Sequence, residues 1–279
     1  MPGQPTKLTK VKEIGRKDIL LSVARVPKTP RLYAGSSDSK VYEFDVSAAK
    51  PEVGEFAGHS SYVTGVALAG DVLVSGSYDQ KLIWWDREKR TPIRTVENAH
   101  AKWIRAVVAS PDGNTIATVG DDMVCRLWDA KTGEKRLELR GHEERTPTHF
   151  PSMLFTCCFT ADGKTLAAGG IGKIGNIDHL DGKARVEVFD WHKAARLWEF
   201  ESDKIKGLVE RLAFHPKGDW LLAAGGANDG FLMFLDVKAK KPLKQEKAPA
   251  HVHDFALNEA SDTLYTVGHG RVVVFTLKG

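Results

Sequence analysis

Short apolar runs rich in Val, Ile and Leu, each cut off by Gly, Pro, Asp or Asn, recur along the chain. Runs of this length with such borders predict strands rather than helices. The stretch from Trp103 to Leu139 shows the pattern best. Trp103 to Ala109 is apolar and β-branched, Ser110-Pro111-Asp112-Gly113 is a turn, and Thr115 to Val119 is the next run. Asp121-Asp122 then turns into Val124 to Trp128, and Lys131 to Glu134 turns into Lys135 to Leu139. That makes four strands in succession. Sustained i, i+3, i+4 apolar spacing is hard to find, so no helix is expected.

The pattern repeats. An apolar strand ending in an aromatic residue or leucine, then aspartate, occurs at Phe44-Asp45, Trp85-Asp86, Trp128-Asp129, Phe189-Asp190 and Leu235-Asp236, with Phe275-Thr276 as a degenerate sixth. Successive spacings are 41, 43, 61, 46 and 40 residues. A unit of about 40–45 residues is what four strands and their turns require. The residues after Phe275, with those from Met1 through Phe44, supply 48 more, again about one repeat. No residues remain for a seventh unit.

Two consecutive units carry a finer signature. His59, Ser75, Asp79 and Trp85 stand in one, and His100, Thr118, Asp122 and Trp128 in the next, with the same four- and six-residue steps from hydroxyl to Asp to Trp. In this the chain resembles the WD-repeat (β-transducin-like) family, over essentially its whole length. The resemblance implies that each set forms a buried relay inside one blade of a propeller. A buried aspartate is costly unless donors surround it, and imidazole, hydroxyl and turn amides can supply them. These eight residues are therefore expected to be scaffold. The other units depart: Ala34 and Ala168 stand where a hydroxyl is expected, and Phe, Leu and Phe replace Trp at positions 189, 235 and 275, as Phe44 does in the first unit.

The expected architecture is an all-β, six-bladed propeller of four-stranded antiparallel blades over residues 1–279. The last unit lacks an outer strand, and Lys7 to Ile14 has the alternation of a strand without a blade, so this segment is expected to complete blade 6. Blade 4 is long. Its excess falls at about 142–151, before its first strand, and at about 171–184, between its second and third; Pro147, Pro151, Gly172, Gly175 and Gly182 punctuate both segments.

Composition changes this picture little. The formal charge of +4 does not demand a polyanion partner. Lys238, Lys240, Lys241, Lys244 and Lys247, with Pro242 and Pro249, fall where the outer strand of blade 5 should run, and such residues block strand addition at an exposed edge. Few aromatics are interleaved with them, so nucleic acid is not the expected partner. Cys125, Cys157 and Cys158 are odd in number, and neighbouring cysteines on a strand point to opposite sides, so all three are expected as packing residues. The N-terminal segment lacks a signal-peptide core, and no apolar run approaches the ~18 residues of a bilayer span. A monomer in the cytoplasm is expected, without membrane contact.

Function then depends on what rises above the scaffold. One face of a propeller gathers the loops before the first strand and between the second and third. The resemblance implies partner contacts there, at Tyr62, Tyr78, Lys102, Trp103, Arg105 and Asp121. His149 and His179 in the insertions are further candidates. Tyr, Trp and Arg are the types that anchor interfaces. The expected role is a non-catalytic platform for a protein or peptide, with no catalytic residue, metal or cofactor. The alternatives are a metal-dependent channel hydrolase, lactonase-like, or a weak polyanion binder. For the first, the inner strands offer Ser22, Thr64, Arg105, Thr156, Glu210 and Asp254, which is not a ligand set. The clusters His251-Val252-His253-Asp254 and Asp178-His179 with Asp181 also lack the ligand count of a metal site.

Overall fold

The structure is a computed structural model that describes residues 7–48, 53–122, 124–140, 153–172, 182–193, 195–215, 217–226, 230–248, 253–258, 260, 262–268 and 271–278. Among these residues there are 24 strands and no helix. The first, β1 (Lys7–Gly15), stands apart from its neighbours in sequence. Blade 1 is β2 (Leu20–Arg25), β3 (Arg31–Ser36), β4 (Lys40–Asp45) and β5 (Val53–Ala57). Blade 2 is β6 (Val63–Ala69), β7 (Val72–Ser77), β8 (Leu82–Asp86) and β9 (Thr91–Val96). Blade 3 is β10 (Ile104–Ala109), β11 (Thr115–Gly120), β12 (Val124–Asp129) and β13 (Lys135–Arg140). Blade 4 is β14 (Met153–Phe159), β15 (Thr165–Ile171), β16 (Lys183–Asp190) and β17 (Ala195–Lys206). Blade 5 is β18 (Leu208–Phe214), β19 (Trp220–Gly226), β20 (Gly230–Asp236) and β21 (Lys241–Ala248). The last sheet is built from β22 (Asp254–Leu257), β23 (Thr263–Gly268), β24 (Arg271–Lys278) and β1, in the order β1-β24-β23-β22.

All six sheets are four-stranded and antiparallel, as the repeat count implies. The insertion expected at 171–184 is narrower than the spacing suggested, because β15 runs through Ile171 and β16 already begins at Lys183. The bulk of it, like all of 142–151, lies outside the described residues.

The core is distributed over the six seams between blades. Tyr33, Val41 and Phe56 of blade 1 pack with Val63, Val66, Leu73, Ile83 and Trp85 of blade 2. The same arrangement recurs between every neighbouring pair, ending with Val267 and Val272 of blade 6 against Leu20, Val23, Leu32 and Phe44 of blade 1. The repeated aromatic or leucine now has a physical role. Phe44, Trp85, Trp128, Phe189, Leu235 and Phe275 each pack into the seam with the preceding blade. Alternate residues of the same strands, such as Leu82 and Trp84, face the next seam, so third strands are apolar on both faces. Cys157 and Cys158 follow this alternation, one in the seam with blade 3 and the other in the seam with blade 5. The three cysteines are buried and unbridged.

Inner strands share a local irregularity that spacing did not reveal. Their pairing with the second strand skips one residue at Leu21, Thr64, Arg105, Phe155 and Glu210 in blades 1 to 5. A bulge of this kind bends the strand and re-aims the extra side chain. Glycine stands opposite several of these bulges, and at Gly35 the reason is distance: a Cβ there would lie 2.4 Å from the Val63 carbonyl oxygen of the next blade. The second strand of blade 1 could not approach the inner strand of blade 2 so closely with any larger residue.

Closure is achieved by the N-terminal strand. Eight residues of β1 pair with β24, from Lys7 opposite Lys278 to Gly15 opposite Arg271. Lys12 Nζ donates to the carbonyls of Val46 (2.5 Å) and Ala48 (2.7 Å), and the Arg16 guanidinium lies 3.9 Å from the Tyr42 ring centroid. The strand is thereby tied to blade 1 as well as to blade 6.

Deleting residues 1–15 exposes the edge of β24 and removes the β1 ladder and the Lys12 bonds, and should lower Tm by roughly 10 °C, since each kcal/mol lost is worth about 2–4 °C at this size. An unchanged Tm in a thermal melt refutes closure by this strand. Gly35→Ala should cost about 1–3 kcal/mol by overpacking, read as a lower urea midpoint at constant slope; a midpoint equal to that of the parent would contradict the close approach.

Candidate functional site

Two relays are complete. In blade 2 the Trp85 indole N–H donates to Ser75 Oγ (2.7 Å), which lies 2.7 Å from His59 Nε2, while His59 Nδ1 lies 2.9 Å from Asp79 Oδ2. With Asp79 ionised, the consistent assignment has Nδ1–H donating to the carboxylate and Nε2 accepting from the serine hydroxyl. Asp79 also accepts from the amides of Ser60 (2.9 Å) and Lys81 (3.0 Å). Blade 3 repeats the geometry: Trp128 to Thr118 at 2.9 Å, Thr118 to His100 at 2.7 Å and His100 to Asp122 at 2.9 Å. Burial pushes both aspartates up, but hydrogen bonds from the relay histidines and nearby amides outweigh it, and both carboxyls titrate below their ordinary range. Arg126 adds to this at Asp122, which is held the lower of the two.

Two of the blades without a relay use other pairs. In blade 1 Ala34 leaves no hydroxyl, and Tyr42 donates its own to the turn aspartate Asp38. In blade 4 Ala168 faces Glu187 across the β15–β16 ladder, and the buried Glu187 carboxylate pairs with Arg185 at 2.9 Å. No feature of the repeat pointed to either substitute.

The relay loops carry an aromatic ledge. Tyr62 and Trp103 occupy equivalent positions just before the first strands of blades 2 and 3, each anchored by its carbonyl, which accepts from the Tyr78 amide (3.0 Å) and the Asp121 amide (3.0 Å) respectively. Tyr78 lies between them. Its ring stacks on Trp103 at 4.4 Å and 7° and meets Tyr62 at 5.6 Å. Tyr62 and Trp103 remain about half exposed, at 47% and 48%. Burial raises the pKa of the Tyr78 hydroxyl, against the lowering pull of Arg105.

Arg105 organises this ledge from the bulge of β10. Its Nε and Nη2 donate to Asp121 at 2.6 and 2.7 Å, and Nη1 donates to the Tyr78 hydroxyl. The guanidinium carbon lies 4.7 Å from the Tyr78 centroid, 5.3 Å from Trp103 and 4.5 Å from Phe155. Arg105 and Asp121 thus spend their charges on each other, with side chains only 13% and 20% exposed. Lys102 is exposed at the rim. Five of the expected contact residues, Tyr62, Tyr78, Trp103, Arg105 and Asp121, are brought together directly, with Lys102 adjacent in sequence. His149 and His179 lie outside the described residues.

The WD40 family profile, described as "WD domain, G-beta repeat", matches residues 50–86 and 90–129, the stretch that holds both relays. The chain is a WD-repeat protein. It is 28% identical over 199 residues to the nuclear distribution protein PAC1 of Coccidioides posadasii, covering 69% of this chain and 40% of that protein. It is 27% identical over 218 residues to the guanine nucleotide-binding protein subunit beta-like protein of Encephalitozoon cuniculi, covering 74% of this chain and 60% of that protein. A U3 small nucleolar RNA-associated protein 15 homolog of Gallus gallus matches at 28% over 222 residues, 78% of this chain and 36% of its own length. The chain therefore spans roughly half the length of the curated relatives it matches.

The channel of this WD-repeat protein carries both polar and apolar side chains at the ledge end. The bulged side chains Leu21, Thr64, Arg105, Phe155 and Glu210 are half-buried there, with His253 equivalent in blade 6. Glu210 meets His253 at 2.9 Å, and Thr64 Oγ1 donates to the Ile104 carbonyl at 2.5 Å. Of the inner-strand residues weighed for a channel enzyme, Ser22, Thr156 and Asp254 do not face the channel. Ser22 and Thr156 follow the bulges by one position, Asp254 holds the same place after His253, and all three are buried. Asp254 accepts from the Val23 amide of blade 1 (2.6 Å) and lies 2.7 Å from Arg211 Nε of blade 5, an ion pair with poor hydrogen-bond angles. Burial holds its carboxyl above the ordinary range despite these partners. Among the described residues no three His, Cys, Asp or Glu side chains converge as a metal site, and His251, Asp178, His179 and Asp181 lie outside them. No described helix is long and apolar enough to cross a membrane.

The opposite mouth is a funnel of about 590 Å³ lined by all six inner strands and their turns. Its polar rim groups bond within their own turns, as Ser110 does to Asp112 (2.5 Å) and Asn258 to Asp262 (2.7 Å).

Asp79 and Asp122 set a pH dependence. A depressed folded pKa contributes stability that is complete above the unfolded value near 4 and is lost as pH falls toward the folded value. Asp122→Asn should cost about 1–3 kcal/mol at pH 7, and its deficit should shrink as the pH is lowered through 4 toward 2. Urea titrations across that range check this; a deficit that does not change with pH would contradict it.

Proposed function

We propose that this chain is a platform without chemistry of its own, which docks a protein or peptide on the ledge face of one propeller spanning residues 1–279. The observation that carries this reading is the Tyr62–Tyr78–Trp103 stack, half exposed yet held rigid by Arg105 and Asp121. Aromatic anchors that need no ordering on binding favour affinity. The relays support the same reading, because their histidines and aspartates are engaged in the frame. One relative is by name a subunit of a guanine nucleotide-binding protein, a member of an assembly. His149, His179 and the blade 4 insertions would then adjust partner choice. Three buried, unbridged thiols suit a reducing compartment, and the chain is assigned to the cytoplasm as a monomer.

The test is capture from native lysate with quantitative mass spectrometry. Tyr62→Ala combined with Trp103→Ala should reduce recovery of the partner about tenfold or more, at upwards of 1 kcal/mol per anchor, while Tm stays close to that of the parent. Recovery equal to the parent's would move the interface away from the ledge.

A further inference from the structure

The ledge carries a charge selectivity of its own. Cations are commonly drawn to the faces of Tyr, Trp and Phe, but here Arg105 already occupies that role, lying within 4.5–5.3 Å of the Phe155, Tyr78 and Trp103 centroids. A second cation laid on the ledge would meet rings already polarised by a guanidinium beneath them. Among the described residues the remaining charges nearby have partners, including Glu210, which acts on Tyr78 and meets His253 at 2.9 Å. Arg105 is matched by Asp121, Arg126 by Asp122, and Lys81 by Glu97 at 3.2 Å. Asp79 is enclosed in its relay, with its side chain 4% exposed. Lys102 is left over. It adjoins Trp103, is exposed, and has no ion-pair partner among the described residues.

From this charge balance we infer that the ledge docks an acidic segment of a partner protein, with a bulky apolar side chain on Tyr62 and Trp103 and a neighbouring carboxylate against Lys102. The inference rests on the platform reading and adds the partner's chemistry to it. Arg105 and Asp121 are positioning residues in this arrangement: they hold the rings and cancel each other, so that the sign of the surface is decided at the rim.

The test uses the full chain on an immobilised hexapeptide library in which each pool has a fixed Leu beside a fixed Glu, Gln or Arg. The Glu pool should be retained about threefold better than the Gln pool, the order expected of one exposed ion pair, and the Arg pool least. The preference should fade with added salt. Lys102→Gln should abolish it, and Lys102→Glu should turn it toward the Arg pool. Equal retention of the Glu and Gln pools, an Arg preference in the parent, or a Glu preference surviving in Lys102→Gln would each overturn the inference. So would displacement of the Glu pool by a hexathymidylate at lower concentration than by free Glu-pool peptide, which would indicate a nucleic-acid ledge. The platform reading fails separately. If Tyr62→Ala with Trp103→Ala retains every pool as the parent does, the ledge is not the docking surface; if that variant loses all pools while the parent shows no charge preference, only the acidic partner is refuted.

Discussion

A four-stranded blade has two faces, and in this chain both are apolar along the third strand. Neither can be buried within the blade, so each sheet must lie against two neighbours. Six such sheets in a row would still leave two faces in water. Only a closed ring removes them, and the seam where Val267 and Val272 meet Leu20 and Leu32 is where that happens here. Everything else follows from this: the repeat length, the recurring aromatic or leucine that fills each seam, the glycine at position 35 that lets blade 1 approach the inner strand of blade 2, and the N-terminal strand that completes blade 6.

Polar groups inside such a ring must find partners in the frame. The two relays do so within a blade, whereas Trp84 Nε1 donates across a seam to the Ala130 carbonyl at 2.8 Å, and Asp254 reaches from blade 6 to both of its neighbours. These contacts hold blades in register where apolar packing alone would let them slide. Titratable residues that look chemical in isolation are held by the same frame. His59, His100, Asp79 and Asp122 spend their hydrogen bonds on the scaffold.

The ledge arises where that frame ends. A residue before a first strand and one after a second strand are far apart in sequence, yet the backbone bonds from Tyr78 to Tyr62 and from Asp121 to Trp103 place them side by side. Two neighbouring blades then present one continuous stack. The bulge at Arg105 turns a long cationic side chain up beneath the stack, where it can meet three rings and one carboxylate at once. Rigidity and charge neutrality of the ledge both come from that bulge.

Much of this was legible in the residues. Six strand endings at nearly constant spacing specify six sheets, because a four-stranded unit has a narrow range of lengths, and the His, hydroxyl, Asp and Trp steps specify the relays, because a buried aspartate needs those donors. The position of Lys7 to Ile14 followed from counting strands. What the sequence could not supply was direction. A bulge shifts a side chain by one place without changing composition, so the sequence did not tell that Ser22 and Thr156 are buried while Leu21 and Phe155 are only half-buried. The same holds for partnership: that Arg105 and Asp121 pair with each other could not be read from their positions, and the Tyr42–Asp38 and Arg185–Glu187 substitutes had no motif at all. Periodicity and donor chemistry are local, and a sequence records them; which side chains meet depends on strand register and blade apposition, which exist only once the ring has closed.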